Sequence, residues 1–360
     1  MDNIVLYIGG FELPDKNAAA HRVLSNAKIL KDIGKKVVLV GINKDLNQVN
    51  NVERTFEIVQ GFETYAVPYP KKTSDWIDYL TSINDYIMII NKLGNVETVI
   101  CYNFPSIALN KINKFCQHNN IKCIADVTEW YSVAGRSLVF KVIKGFDTWY
   151  RMRIIHKKLD GLIVISKFLK SYYHNNNVVY IPTLIDLNEK KWISNYRKSD
   201  QELRLVYAGN PGRKDRIDIL IGALKDVSRV YRLDVIGISQ EQYIVKYPQH
   251  KIFLESCKYI TFHGRLGHLE TLEFVKKANY SCFFRENDRV SKAGFPTKFA
   301  EAISCGTPVI TNASSNIKDY MDKGKNGICI EAFDSTKVAG LLNKANTSMP
   351  VQKKIFMYNQ

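Results

Sequence analysis

The chain has 360 residues, of which 46% are hydrophobic and 24% charged, and its formal net charge is +16. That length exceeds one ordinary core and suits two α/β domains, while the balance of residue types excludes a disordered chain and a membrane bundle. The positive excess asks for an anionic partner: nucleic acid, an acidic membrane surface or a phosphorylated substrate.

No run of about 18 apolar residues occurs. Asp2 stands where a basic leader region would begin, so neither a spanning helix nor a signal peptide is expected, and the expected location is cytoplasmic. The seven cysteines (Cys101, Cys116, Cys123, Cys257, Cys282, Cys305 and Cys329) lack CxxC spacing and read as reduced core residues, with no metal site.

Short β-branched and aromatic runs alternate with stretches of helical spacing, the pattern of βαβ units and parallel sheets. A first set runs IVLYIG (4–9), KVVLVG (36–41), TYAVPY (64–69), TVICYN (98–103), KCIADV (122–127), LIVIS (162–166) and VVYIP (178–182). A second set follows: RLVYAG (204–209), RLDVIG (232–237), YITFHG (259–264), YSCFFR (280–285), PVITN (308–312) and GICIEA (327–332). Two similar sheets are expected. The polar stretch TLIDLNEKKWISNYRKSDQE between the sets reads as a linker. It sets the expected domains at 1–185 and 186–345, with a tail at 346–360.

In doubly wound sheets, ligands bind beyond the carboxyl ends of the strands. There the sequence AGNPGRKDRIDILIGAL places Gly209 and Gly212 in a turn, Arg213 and Lys214 as cations, and an apolar helical stripe behind them. A helix N-terminus with a guanidinium and an ammonium suits a diphosphate; an exposed basic loop has the same spelling. In AGFPTKFAEAISCGTPVITN (293–312), Phe299, Ala302 and Ile303 fall on the core side of a short helix and Glu301 on the other side. A carboxylate there can accept hydrogen bonds from both hydroxyls of a ribose, or be a solvated helix glutamate.

The order of AGNPGRKDRIDILIGAL, FHGRL, ANYSCFFR and GFPTKFAEAISCGTPVI resembles the donor-binding domain of the family 4 retaining glycosyltransferases of GT-B fold. Upstream, GGFELPDKNAAAHRV, DGLIVISKFL and YIPTLID take the places of that family's first loop, sixth strand and linker entry. The resemblance implies two Rossmann-like domains facing each other across a cleft, the first for the acceptor and the second for a nucleotide-sugar donor, with the tail returning to the first. It implies that Arg213 and Lys214 hold the donor diphosphate, that Gly9, Gly10 and Gly209 allow close approach to phosphates, and that Gly264 and Arg265 meet the base. Glu301 would bind the ribose, and Pro296, Thr297 and Lys298 would sit beside the sugar or phosphate. The chain departs from the family pattern at Ala293, where a second carboxylate commonly stands eight positions before the ribose-binding glutamate. Glu286 and Asp288 lie nearby, out of register.

After KCIADV, the loop DVTEWYS places Asp126, Glu129 and Trp130 at a strand's carboxyl end. We expect Asp126 and Glu129 to serve the acceptor chemistry, although a turn aspartate and a core aromatic fit the same letters. His21 reads either as helix-start packing or as donor-facing. Residues 136–158 carry seven Lys or Arg against one Asp. Drawn as a helix, Val139, Val142, Ile143, Phe146, Trp149, Tyr150 and Ile154 share one side, with Lys141, Lys144, Arg151 and Lys158 on another. That suits either an interfacial helix on anionic lipid or a helix packed on its own sheet.

The function expected from the resemblance is retaining transfer of a hexosyl group, most naturally from a UDP-sugar. The acceptor would be a glycan or lipid-linked saccharide at the inner face of a bacterial membrane, in capsule or O-antigen assembly. Neither metal nor cofactor is implied, and no nucleic-acid motif accompanies the basic charge. A sugar-nucleotide epimerase of similar architecture and a non-catalytic nucleotide- or nucleic-acid-binding protein are the alternatives.

Overall fold

The computed structural model describes residues 3–14, 16–47, 51–132, 138–196, 201–212, 214–321, 325–331, 334–349 and 351. The chain divides into two units, Met1–Pro182 and Thr183–Gln360.

The first unit is built on an eight-stranded sheet of β1 (Ile4–Gly9), β2 (Lys36–Asn43), β3 (Glu57–Val59), β4 (Phe62–Pro68), β5 (Val96–Tyr102), β6 (Lys122–Val127), β7 (Gly161–Val164) and β8 (Val178–Tyr180). Their order is β3-β4-β2-β1-β5-β6-β7-β8. Every pairing is parallel except β3 with β4. β1, central and covered on both faces, buries every residue, which is why IVLYIG reads as an unbroken apolar run. β3 is the strand missed in the sequence. Its three residues join β4 through Gln60 and Gly61, both at positive φ (50° and 78°), a tight hairpin turn without the usual Asn-Gly signal.

The second unit holds a six-stranded parallel sheet of β9 (Leu203–Ala208), β10 (Tyr231–Ile236), β11 (Ile260–Gly264), β12 (Tyr280–Phe283), β13 (Val309–Asn312) and β14 (Gly327–Ile330). Their order is β11-β10-β9-β12-β13-β14, so all six runs read from the sequence are strands of one sheet. The order reverses between β9 and β12, which makes the carboxyl ends of these two strands the switch point where ligands of such sheets bind. In the first unit the corresponding point lies at β1 and β5. The described part of the tail packs on the second unit itself: Tyr280 and Asn279 donate to the carbonyls of Asn346 and Thr347 at 2.6 and 2.9 Å. Residues 352–360 lie outside the described residues.

All seven cysteines are free; Cys101, Cys116, Cys123, Cys282 and Cys305 are buried, and Cys257 and Cys329 half-buried. Residues Leu138–Tyr150 form a helix that continues as a π-turn through Arg151–Ile155. This helix inverts the usual arrangement. Asp147, Thr148 and the adjoining Arg151 face inward, Arg151 being 1% exposed, while Leu138, Val142, Ile143, Phe146 and Trp149 face outward, Leu138 at 78% and Val142 at 70%. Arg151, which spacing along the helix groups with Lys141, Lys144 and Lys158, is thereby separated from the exposed Lys141 and Lys158. Its guanidinium donates to the Asn103 and Phe104 carbonyls at 3.2 Å and covers the Tyr131 ring. Lys144 is tied to Asp147 at 3.0 Å and also lies over Tyr131. Arg136 lies outside the described residues.

Candidate functional site

At the first unit's switch point, Gly9 ends β1 with φ +149°. A Cβ there would stand 2.5 Å from the Tyr102 carbonyl of β5, so the two strand ends close up only because residue 9 is glycine. A Cβ on Gly10 would meet the Tyr79 hydroxyl at 3.2 Å. Asp126, at the end of β6, is fully buried. Arg22 donates to it from Nε (3.0 Å to either oxygen) and Nη2 (2.8 Å), Asn26 donates at 3.2 Å, and Tyr7 donates through its hydroxyl. A carboxylate so enclosed reaches no acceptor. Asp126 is corrected from a catalytic expectation to an internal anchor, placed by a strand periodicity that turns it inward. Trp130 is also buried and meets Tyr172 edge to face at 5.2 Å. Glu129 is half-exposed and interacts with Tyr131, whose phenol is pushed well up by burial first and then by that carboxylate. His21 is half-buried on the helix Ala18–Asp32, whose N-cap Asn17 accepts from the Ala20 amide at 2.9 Å.

At the second unit's switch point, β9 ends in Gly209, φ +127°. Gly237 packs so tightly behind it that a Cβ would come within 2.4 Å of the Gly209 carbonyl oxygen. Arg213 lies outside the described residues, and Lys214 is exposed on the turn. The next residue, Asp215, turns inward. Its carboxylate accepts from Arg285 Nε at 2.7 Å, from the Tyr207 hydroxyl at 2.8 Å, and from the Lys298 ammonium. Lys298 Nζ also stands 3.3 Å from the Tyr207 hydroxyl and lies over the rings of Tyr207 and Phe283 at 4.3 and 5.5 Å. Burial would raise the Asp215 carboxyl, but Lys298 and Arg285 outweigh it and hold it down at about 2. Burial lowers Lys298, with Arg285 adding to the shift and Asp215 opposing it.

Helix Thr297–Ser304 follows Pro296 at its N-cap and buries Phe299, Ala302 and Ile303, leaving Glu301 half-exposed on the opposite side, as its spacing predicts. His268 Nε2 lies 3.3 Å from Glu301 Oε1. Pro296 is buried and Thr297 half-buried. Gly264 closes β11 at φ +66° with open space where a side chain would stand, and Arg265 beside it is exposed. Ala293 is fully buried at the end of helix Arg289–Ala293. Neither nearby acid replaces the missing carboxylate freely, for Glu286 is held by Arg216 and Asp288 caps that helix by accepting from Ser291 N at 2.8 Å. Among the described residues no cluster of three or more His, Cys, Asp or Glu could hold a metal ion.

Residues 188–356, nearly all of the second unit, match the family model described as glycosyl transferases group 1. The second unit is thus similar to the group 1 glycosyl transferases. The whole chain shares the GT-B fold of solved glycosyltransferases. It superposes on sucrose-phosphate synthase from Thermosynechococcus elongatus with a TM-score of 0.71 at 15% identity, covering 95% of this chain and 89% of that one. Anabaena HepE in complex with UDP and glucose gives 0.64 at 12% identity over 95% and 89%. The catalytic domain of starch synthase IV from Arabidopsis thaliana, bound to ADP and acarbose, gives 0.69 at 9% identity over 96% and 92%. No curated protein matches the chain.

Within the second unit the structure brings Gly209 and Lys298 together, since a Cβ on Gly209 would lie 3.3 Å from Lys298 Nζ. Sequence reasoning missed Asp215, Arg285 and Tyr207. Arg285 had been absorbed into the run YSCFFR, yet the strand stops at Phe283, and Arg285 instead pairs its backbone with Asp215. The acid flanked by cations in RKDR was the available signal, since an aspartate inside a basic turn is a candidate partner for a buried cation.

Proposed function

We propose that this chain transfers a sugar from a nucleotide-sugar, a UDP-sugar in the simplest reading, to a glycan or lipid-linked saccharide, with retention of configuration and without a metal. The observation that carries the reading is the convergence, at the switch point of the second unit, of the Gly209 turn, the half-buried cation Lys298 and the half-exposed Glu301. Glu301 accepts from the ribose hydroxyls, and the backbone at Gly264 and Arg265 borders the base. Gly209, Pro296, Thr297 and Lys298 border the diphosphate and sugar, and Arg213 and Lys214 add charge at the turn's mouth. Gly9 and Gly10 leave the first loop without side chains.

In the transfer, the bond from the anomeric carbon to the phosphate oxygen breaks and one from that carbon to the acceptor oxygen forms on the same face. The hydroxyl proton passes to the departing diphosphate. Cations fixed before the reaction stabilise the charge that develops on that leaving group. Glu129 is assigned to orienting the acceptor hydroxyl.

We further place the acceptor on an anionic membrane surface contacted by residues 138–158, at the inner face of the cytoplasmic membrane in bacterial surface polysaccharide assembly. The outward apolar face of Leu138–Tyr150, with exposed Lys141, Arg153, Lys157 and Lys158, supports this, since amphipathic aromatic rings and basic residues both favour a lipid interface. Among the described residues no helix is long and apolar enough to cross a membrane.

The test is thermal stabilisation by a panel of nucleotides and sugar nucleotides. Saturable stabilisation by UDP, weakened in Glu301→Ala, is expected, together with donor turnover only when acceptor is present. No response to any nucleotide would overturn the donor site, and turnover of donor alone would make the chain an epimerase.

A further inference from the structure

We propose that a cavity at the open edge of the first unit's sheet is a phosphate-ester site, and that the headgroup of an anionic lipid is the ester it takes. The second half of this rests on the membrane contact read above for residues 138–158; the first half does not.

The cavity, of about 440 Å³, lies between the helix Lys167–Tyr172 and β8. Lys167, Lys170 and Ser171 stand at i, i+3 and i+4, on one side of that helix, and His174 follows just past its end. The opposite wall is Val178 and Tyr180, which share one face of β8 by the strand's period of two. No Asp or Glu lines the cavity, and none occurs in the sequence between Asp160 and Asp186. Asp160 itself is turned to the Cys123 amide, from which it accepts at 2.7 Å. Lysines at this spacing repel each other, and an anion between them removes the repulsion.

The donors suit a phosphate. Among the described residues the Lys170 ammonium and the Ser171 hydroxyl have no hydrogen-bond or ion-pair partner. His174 Nδ1 lies 3.0 Å from the Ser171 carbonyl, which can only accept, so Nδ1 carries the proton and a charged ring presents a second N–H at Nε2. β8 is the last strand of its sheet. Its ladder to β7 uses Asn177 O, 2.9 Å from Leu162 N, and Ile181 N, 3.0 Å from Val164 O, so the Val178 N–H points outward from the edge. Ammonium, hydroxyl and edge-amide donors around one concavity are what the several oxygens of a phosphate accept from.

The lipid source follows from what borders the cavity. Asn176, which lines it, donates through its side chain to the Lys157 carbonyl at 3.1 Å, and the exposed Lys157 lies over the Tyr172 ring at 5.8 Å. The cavity thus adjoins the cationic end of the segment whose apolar face is turned outward. An anionic headgroup with its chains beside it meets both.

The test follows the ring signal of His174 in the full chain carrying carbon-labelled histidine, with His174→Gln to identify it. Inorganic phosphate, glycerol 1-phosphate and acetate are titrated in turn, then vesicles of phosphatidylcholine with and without phosphatidylglycerol. Saturable shifts of His174 with both phosphates are expected, larger than with acetate and absent from the exposed His118, together with vesicle binding that rises with phosphatidylglycerol. Lys167→Ala with Lys170→Ala should abolish the phosphate shift and weaken vesicle binding about fivefold per lysine removed. Lys167→Arg with Lys170→Arg should retain both. So should Lys114→Ala with Lys122→Ala, which removes the same charge from exposed positions elsewhere on the unit. An unmoved His174, an equal response to acetate, or an equal loss in the Lys114 and Lys122 variant would each overturn the site. A response to the soluble phosphates without vesicle binding keeps the phosphate site but removes the headgroup, and the membrane reading with it. Vesicle binding left unchanged by Lys167→Ala with Lys170→Ala removes the headgroup site and keeps that reading.

Discussion

Arg22 clamps the Asp126 carboxylate with Nε and Nη2 at 2.8 to 3.0 Å, and its remaining nitrogen, Nη1, donates to the Ile181 and Pro182 carbonyls at 3.0 and 3.2 Å. One side chain of the first long helix thus ties the end of β6 to the last residues of the first unit. Arg22→Met leaves a buried carboxylate without its counter-ion, a change that typically costs about 3–5 kcal/mol. The expected outcome is a lower urea midpoint for the first unit, with an unaltered acceptor KM in whatever protein stays folded. A normal midpoint with a raised acceptor KM would return Asp126 to the acceptor site.

Asp215 sets an acid limit on the second unit. Its carboxyl sits at about 2 in the folded chain against 3.8 ordinarily. The stabilisation is therefore complete above pH 4 and disappears as pH falls through 2. The difference corresponds to about 2 kcal/mol. Urea midpoints between pH 6 and 2 should fall across that window in the native chain and fall less steeply in Asp215→Asn.

Gly237 supports the donor turn through backbone contact alone. Gly237→Ala places a methyl against the Gly209 carbonyl at a backbone φ of +105°, and either strain of about 1–3 kcal/mol or a shifted turn must follow. Stabilisation by UDP should drop while the first unit's urea midpoint holds. Gly212→Ala, which also has positive φ (48°) but open space around it, should weaken UDP less.

The inverted helix predicts lipid binding. Val142→Glu with Phe146→Glu should abolish flotation with vesicles rich in phosphatidylglycerol and leave UDP binding intact, and flotation of the native chain should weaken with salt. Equal flotation of native and variant chains would remove the membrane contact, and a concentration-dependent dimer lost in the variant would assign the face to a second copy.

Much of the fold was legible in the sequence because parallel strands buried on both faces spell themselves as apolar runs; thirteen runs gave thirteen strands. Glu301 was legible for a related reason, since a period of 3.6 fixes which side of a short helix each residue takes. Asp126 and Arg151 were misread because each is an ionic group turned into the interior, and spacing along the chain carries no sign of its partner 104 or 48 residues away. Asp215 and Arg285 escaped for the same reason, being joined across 70 residues.

The placing of the thiols gives the two units separate chemical clocks. Cys101, Cys116 and Cys123 of the first unit are all buried, whereas the second unit offers half-buried Cys257 and Cys329. An alkylating reagent should therefore mark Cys257 and Cys329 while the chain is folded. It should reach Cys101, Cys116 or Cys123 only when the first unit opens and Cys282 or Cys305 only when the second does, so the order in which the buried thiols are modified reports which unit yields first to heat, acid or loss of Arg22.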